Sequence, residues 1–108
     1  MTEEKGNELF RVQKSQKRIY VECLRNAIDI SNAAQFKNEA GKWLKEDIVE
    51  IVLDVKKVDF VDSMGLGMLI SIHKRVSEKN ARMILKNPSE NFKRLLTITG
   101  LNKVFFIE

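Results

Sequence analysis

The sequence predicts an α/β fold, a small sheet of about four to five strands with three helices, joined by βαβ crossovers after an opening β-hairpin. Three observations carry this. The run IVEIVLDV, Ile48 to Val55, is rich in β-branched residues and apolar on both faces, the pattern of a central strand covered on both sides. Three segments have apolar residues at helical spacing. Strand-like and helix-like segments then alternate to the end of the chain, which implies parallel strands joined by right-handed crossovers.

Taken in order, Leu9 to Val12 and Ile19 to Leu24 are short apolar stretches around the polar run QKSQK, and they form the hairpin. Phe36, Ala40, Trp43 and Leu44 fall at i, i+4, i+7 and i+8, which predicts a first helix over 31–45 with Ser31 as its N-cap. After the central strand, Leu66, Leu69, Ile70, His73 and Val76 mark one face of a second helix that runs to Glu78. Arg82 to Leu85 is the next strand. A third helix follows Pro88 and Ser89, with Phe92, Leu95, Leu96 and Thr99 on one face and Gly100 as its stop, and Val104 to Ile107 is the last strand.

A chain of 108 residues with 44% hydrophobic and 31% charged residues has the size and composition of one soluble domain, residues 1–108. No apolar run approaches the roughly 18 residues of a membrane span, and the start MTEEKGNE lacks a signal-peptide pattern, so the chain reads as cytoplasmic. The single cysteine, Cys23, lies in an apolar stretch and is expected buried and inert. The net charge of +4 raises the possibility of a small nucleic-acid-binding module. Its cations are scattered, in groups such as Lys14, Lys17 and Arg18, or Lys56 and Lys57, without interleaved aromatic residues, which favours a solvated surface.

The stretch VDFVDSMGLGML, Val58 to Leu69, passes from strand through loop into the second helix, at the carboxyl edge of the sheet where α/β proteins meet ligands and partners. Ser63 stands at the helix entrance. It is either a helix cap or a phosphoacceptor, because a phosphate there would face free N–H groups and the positive end of the helix dipole. Asp62 would repel that phosphate, yet its carboxylate could orient the hydroxyl or a basic group of a partner; otherwise it caps the turn.

Enzyme chemistry finds little support. The only histidine, His73, lies about 15 Å along the same helix from Ser63, which excludes a Ser–His pair. It falls on the apolar face as a partly buried residue. Gly65 and Gly67 lack the rest of a P-loop or dinucleotide motif and are read as sites of close backbone packing. One Cys and one His make no dense metal constellation, and no cofactor is implied.

The run DSMGLGML, Asp62 to Leu69, resembles the signature of STAS domains, above all the bacterial anti-sigma factor antagonists. Leu85 with Asn87, Pro88 and Ser89 resembles the family's joint into the third helix. Thr99, Gly100 and Leu101 before Val104 to Ile107 resemble its closing segment, and Leu24 through Asp29 its second-strand exit. The resemblance implies that Ser63 is phosphorylated by a partner that is both anti-sigma factor and serine kinase. The unphosphorylated form would bind that kinase and release a sigma factor, and a serine phosphatase would reset the switch. It also implies that Asp29 and Asp62 neighbour Ser63, and that Met64 and Gly65 share the partner-binding surface. Met64 stands where the family usually has a small residue, and Asn26 where a glycine is common, which bears on partner choice. The rival within the family is a non-phosphorylated scaffold or transport-associated subunit.

Overall fold

A computed structural model describes residues 2–6, 8–45 and 47–108. Three antiparallel strands open the chain, β1 (Thr2–Gly6), β2 (Phe10–Ser15) and β3 (Arg18–Cys23). The two-residue turn between β2 and β3 places Gln16 at φ 55, the positive φ that suits a tight hairpin. Next come a short strand β4 (Ala27–Ile28), helix α1 (Ala33–Trp43), strand β5 (Glu50–Asp54) and a second short strand β6 (Phe60–Val61). Helix α2 (Ser63–Glu78), strand β7 (Arg82–Lys86), helix α3 (Glu90–Thr99), a 3-10 turn (Leu101–Lys103) and strand β8 (Phe106–Ile107) complete it.

The main sheet has the order β1-β2-β3-β5-β7-β8, with β3, β5, β7 and β8 parallel. The α/β architecture with three helices is therefore as the sequence predicts. The polar segment TEEKG adds an edge strand that no apolar alternation announces.

The helices share one core. Phe36 and Trp43 of α1 pack on Phe10 of β2, with ring centroids 5.5 and 4.9 Å apart. Met68, Leu69, Ile72 and Val76 of α2 and Phe92 and Leu96 of α3 join them over Ile19, Val21, Ile51, Leu53, Met83 and Leu85 of the sheet. Burying each such side chain fully contributes about 1.5–3 kcal/mol. Cys23 lies in the same layer, and burial pushes its thiol up to about 12, so it stays protonated.

Several expectations change. The sheet is covered on one face only. On the other face, Tyr20, Val52, Ile84 and Phe106 line up across four parallel strands. Arg82 lies 5.7 Å from the Phe106 ring centre and Lys86 lies 5.6 Å from that of Tyr20, and Ile84 is only 7% exposed. Long cationic stems thus shield this stripe without a helix. Flanking charges pair within the same face, Arg11 with Glu22 at 3.5 Å and Arg82 with Glu50 at 2.6 Å. At its carboxyl end the buried Asp54 accepts from the Tyr20 hydroxyl, from Lys56 N–H at 3.0 Å and from the Asn87 amide at 3.5 Å.

Helix α1 begins later than Ser31, after Asn32, and neither residue caps it with a side-chain bond. Helix α2 is rotated by about one position. Met68 and Ile72 point inward, whereas Ile70 is 43% exposed and His73 is half-buried, edge-on to Phe105 at 5.3 Å. Thr99 is exposed, its hydroxyl donating to Leu95 O at 2.8 Å. Val104 precedes the last strand, while Phe105 is buried in the core.

Candidate functional site

The two short strands organise the site. β4 and β6 pair in parallel beyond the ends of β3 and β5, with Ala27 beside Phe60 and Ile28 beside Val61. Asp29 and Asp62 therefore leave the ladder side by side, and the neighbourhood expected for Asp29, Asp62 and Ser63 follows from one register.

Asp62, not Ser63, is the N-cap of α2. Its backbone is extended (φ −96, ψ −176), and Oδ1 accepts from Gly65 N–H at 2.9 Å. Its second oxygen, Oδ2, accepts from Ile30 N–H at 3.0 Å, in the loop before α1. One carboxylate thus joins the two loops. Both oxygens are engaged by backbone donors, and no hydrogen bond between Asp62 and the Ser63 hydroxyl is present among the described residues.

Gly65 makes this possible. A Cβ there would sit 2.1 Å from Ile28 O and 2.9 Å from Val61 Cγ1, so only glycine lets α2 press onto the ladder. Gly65 is buried, and its N–H donates to Asp62. At Gly67 a Cβ would meet nothing within 4 Å, and close packing does not explain it.

Asp29 closes on its own turn. Its Oδ1 accepts from Ser31 N–H at 2.9 Å and from the Ser31 hydroxyl at 2.5 Å. Asn32 completes the turn, its Oδ1 accepting from Asp29 N–H at 3.0 Å and its amide donating to Ala27 O at 2.9 Å. A polar cleft of about 310 Å³ opens beside this loop, lined by Arg25, Asn26, Asp29, Asn32 and Gln35 among others.

Ser63 is the first helical residue, exposed, and its hydroxyl has no hydrogen-bond partner among the described residues. Met64 beside it is 54% exposed and lies outside the core. Two apolar neighbours escaped the sequence reading, Ile30 at 74% and Phe60 at 57% exposure. The available signal was an apolar residue between the turn formers Asp29 and Ser31. Among the described residues no three His, Cys, Asp or Glu side chains converge, and the site offers a hydroxyl, free N–H groups and exposed apolar side chains.

Comparison with known proteins bears on the fold and the family. The chain is 32% identical over 82 residues, 71% of its length and 69% of the relative's, to a Thermotoga neapolitana protein assigned as an anti-sigma factor antagonist. It is 29% identical over 89 residues, 76% of its length and 82% of the relative's, to the anti-sigma-B factor antagonist of Bacillus subtilis. In fold it resembles the unphosphorylated anti-sigma factor antagonist SpoIIAA, with a TM-score of 0.78 over 92% of this chain and 87% of that one at 18% identity. The STAS domain family matches residues 12–108, nearly the whole chain with both turns of the site inside it, and the chain belongs to that family.

Proposed function

We propose that the chain is a phosphorylation-switched regulatory binding protein of the cytoplasm, an anti-sigma factor antagonist with Ser63 as its phosphoacceptor. Its unphosphorylated form binds an anti-sigma factor that is also a serine kinase, and that binding releases a sigma factor. In the transfer step the Ser63 oxygen attacks the γ-phosphorus of ATP, ADP leaves, and a base on the kinase takes the hydroxyl proton. A serine phosphatase hydrolyses the ester and resets the switch. The chain itself is not the enzyme.

One observation carries this reading. The Ser63 hydroxyl is exposed and unengaged at the first residue of a helix, where a phosphate meets free N–H groups. Exposed Met64 extends the surface a kinase must cover, and Asp29 and Asp62 flank it. The basic residues support a surface role over nucleic-acid binding, since Lys17 pairs with Asp47 at 3.1 Å and Arg18 with Glu50 at 3.8 Å.

Intact mass after incubation with the cognate kinase and ATP tests the proposal. Wild type should gain one phosphate and Ser63→Ala none. A phosphate on the alanine variant would place the acceptor elsewhere, and an unmodified wild type would remove the switch.

A further inference from the structure

Asp62 stands between the acceptor and a second loop. Its Oδ1 is tied to α2 through Gly65 N–H, and its Oδ2 holds Ile30 N–H from across the ladder. Ile30 carries an apolar side chain that is 74% exposed, and its N–H is bonded to the residue that precedes Ser63. A protein that reaches Ser63 covers on the order of 800 Å² of this surface, so Ile30 falls within its footprint. We propose that Asp62 transmits the charge on Ser63 to Ile30: phosphate on Ser63 breaks the hydrogen bond from Ile30 N–H to Asp62 and releases the segment that presents the Ile30 side chain to the partner.

The inference deepens the phosphoacceptor reading and rests on it. A phosphoserine brings up to two negative charges and three acceptor oxygens to a helix end already occupied by the Asp62 carboxylate. The free N–H groups of the first turn favour the phosphate, while the neighbouring carboxylate is repelled. Of the two donors that Asp62 holds, Gly65 N–H belongs to the same helix turn. Ile30 N–H comes from a separate loop, and its bond is the one that gives way.

What moves is bounded. Ile28 stays fixed, because it pairs with Val61 in the ladder and its carbonyl accepts from Asp62 N–H at 3.3 Å. The turn of Asp29, Ser31 and Asn32 keeps its own hydrogen bonds. Losing the Ile30 N–H bond therefore frees this turn from α2, and the Ile30 side chain moves with it while Ile28 holds its base. An apolar contact that was held in place must then be ordered on binding, which weakens association in addition to the direct effect of charge.

The test needs no kinase. Phosphoserine is installed at position 63 of the full chain by genetic-code expansion, and amide hydrogen exchange and proton shifts are read by NMR. The expected result is about tenfold faster exchange at Ile30 with an upfield shift of its amide proton, while Gly65 keeps its protection. Asp62→Ser is the second variant: serine is an equally good N-cap, but its single oxygen serves Gly65 N–H and leaves Ile30 N–H without an acceptor. In that variant Ile30 should exchange fast before phosphate is added and change no further after it. Unchanged Ile30 exchange on phosphorylation of wild type, or an equal acceleration by phosphate in Asp62→Ser, overturns the inference. Failure of the kinase to modify Ser63 would instead remove the function proposed above, so the two outcomes are scored separately.

Discussion

Two turns lie side by side at the end of the β4–β6 ladder, built from the same residue types and put to different use. In the first, Asp29 binds both the N–H and the hydroxyl of Ser31, and the serine is consumed by its own turn. In the second, Asp62 gives its oxygens to Gly65 and Ile30, and the hydroxyl of Ser63 is left over. The difference lies in who satisfies the aspartate. Helix α2 comes close enough, through Gly65, to supply a backbone donor, whereas the loop before α1 must find its donors within itself. Availability of a serine here depends on the packing of a glycine two residues away.

The largest expected effect breaks that packing. Gly65→Ala puts a methyl group against Ile28 O, a backbone atom that cannot turn aside, and should destabilise the fold by about 3 kcal/mol. Gly67→Ala, in the same helix and facing open space, should stabilise it by up to about 1 kcal/mol through helix propensity. Urea denaturation of both variants measures the contrast. Equal effects of one sign would mean that the ladder does not constrain α2.

Asp54 is a third aspartate, closed by Lys56 N–H of its own turn and by Tyr20 and Asn87 from elsewhere in the chain. The hydrogen bond to Asp54, with burial and the nearby charge, pushes the Tyr20 hydroxyl up to about 12. Burial pushes Asp54 up as well, but bonds from Tyr20, Lys56 N–H and Asn87 outweigh it and hold the carboxyl below its usual range. The signs give two windows. Tyr20 is raised from about 10, so its contribution is complete below that pH and is lost as pH rises through about 12. Asp54 is lowered, so its contribution is complete above about 4 and is lost as pH falls further. Tyr20→Phe should cost about 2 kcal/mol at neutral pH and flatten the alkaline loss relative to wild type. Urea midpoints across pH for both proteins measure it, and parallel curves would show that the bond contributes nothing.

Met64 sharpens the comparison from the partner's side, since the Ser63 turn exposes a large apolar residue at its centre. Met64→Ser should weaken binding to the native partner by about 1.4 kcal/mol, roughly tenfold, with the melting temperature little changed. Calorimetric titration and a thermal melt on one variant decide it. A lowered melting temperature with unchanged affinity would reject a contact role.

Much of this was legible from residue order, for reasons that individual residues show. Phe36, Ala40, Trp43 and Leu44 are all buried as their spacing requires, and Gly100 ends α3 at φ 77. The segment from Asp62 into α2 was also legible as a strand-to-helix turn with an exposed serine at the helix entrance. The ladder that aligns the two turns did not show, because two-residue strands carry no periodicity. The face of α2 was ambiguous because SMGLGMLISI is apolar almost all round, and packing against α1 and β7 chose Met68 and Ile72 over Ile70. The single-sided sheet was hidden because Val52 and Ile84 read as core, whereas cations from neighbouring positions on that face shelter the stripe they belong to.

The smallest effect separates the two serines directly. Ser31→Ala removes the hydroxyl that Asp29 accepts at 2.5 Å and should cost about 1 kcal/mol, the net worth of an ordinary hydrogen bond. Ser63→Ala removes a hydroxyl with no partner among the described residues, because the cap it was expected to provide comes from Asp62. Alanine is also the better helix former, so this variant should stay within about 0.5 kcal/mol of wild type, on the stable side if it moves. Both substitutions delete one oxygen from one serine in adjacent turns, and errors of extrapolation largely cancel when their urea midpoints are compared in the same buffer. A cost at Ser63 equal to that at Ser31 would mean that its hydroxyl is engaged after all, and the distinction between a closed turn and an open one would fall.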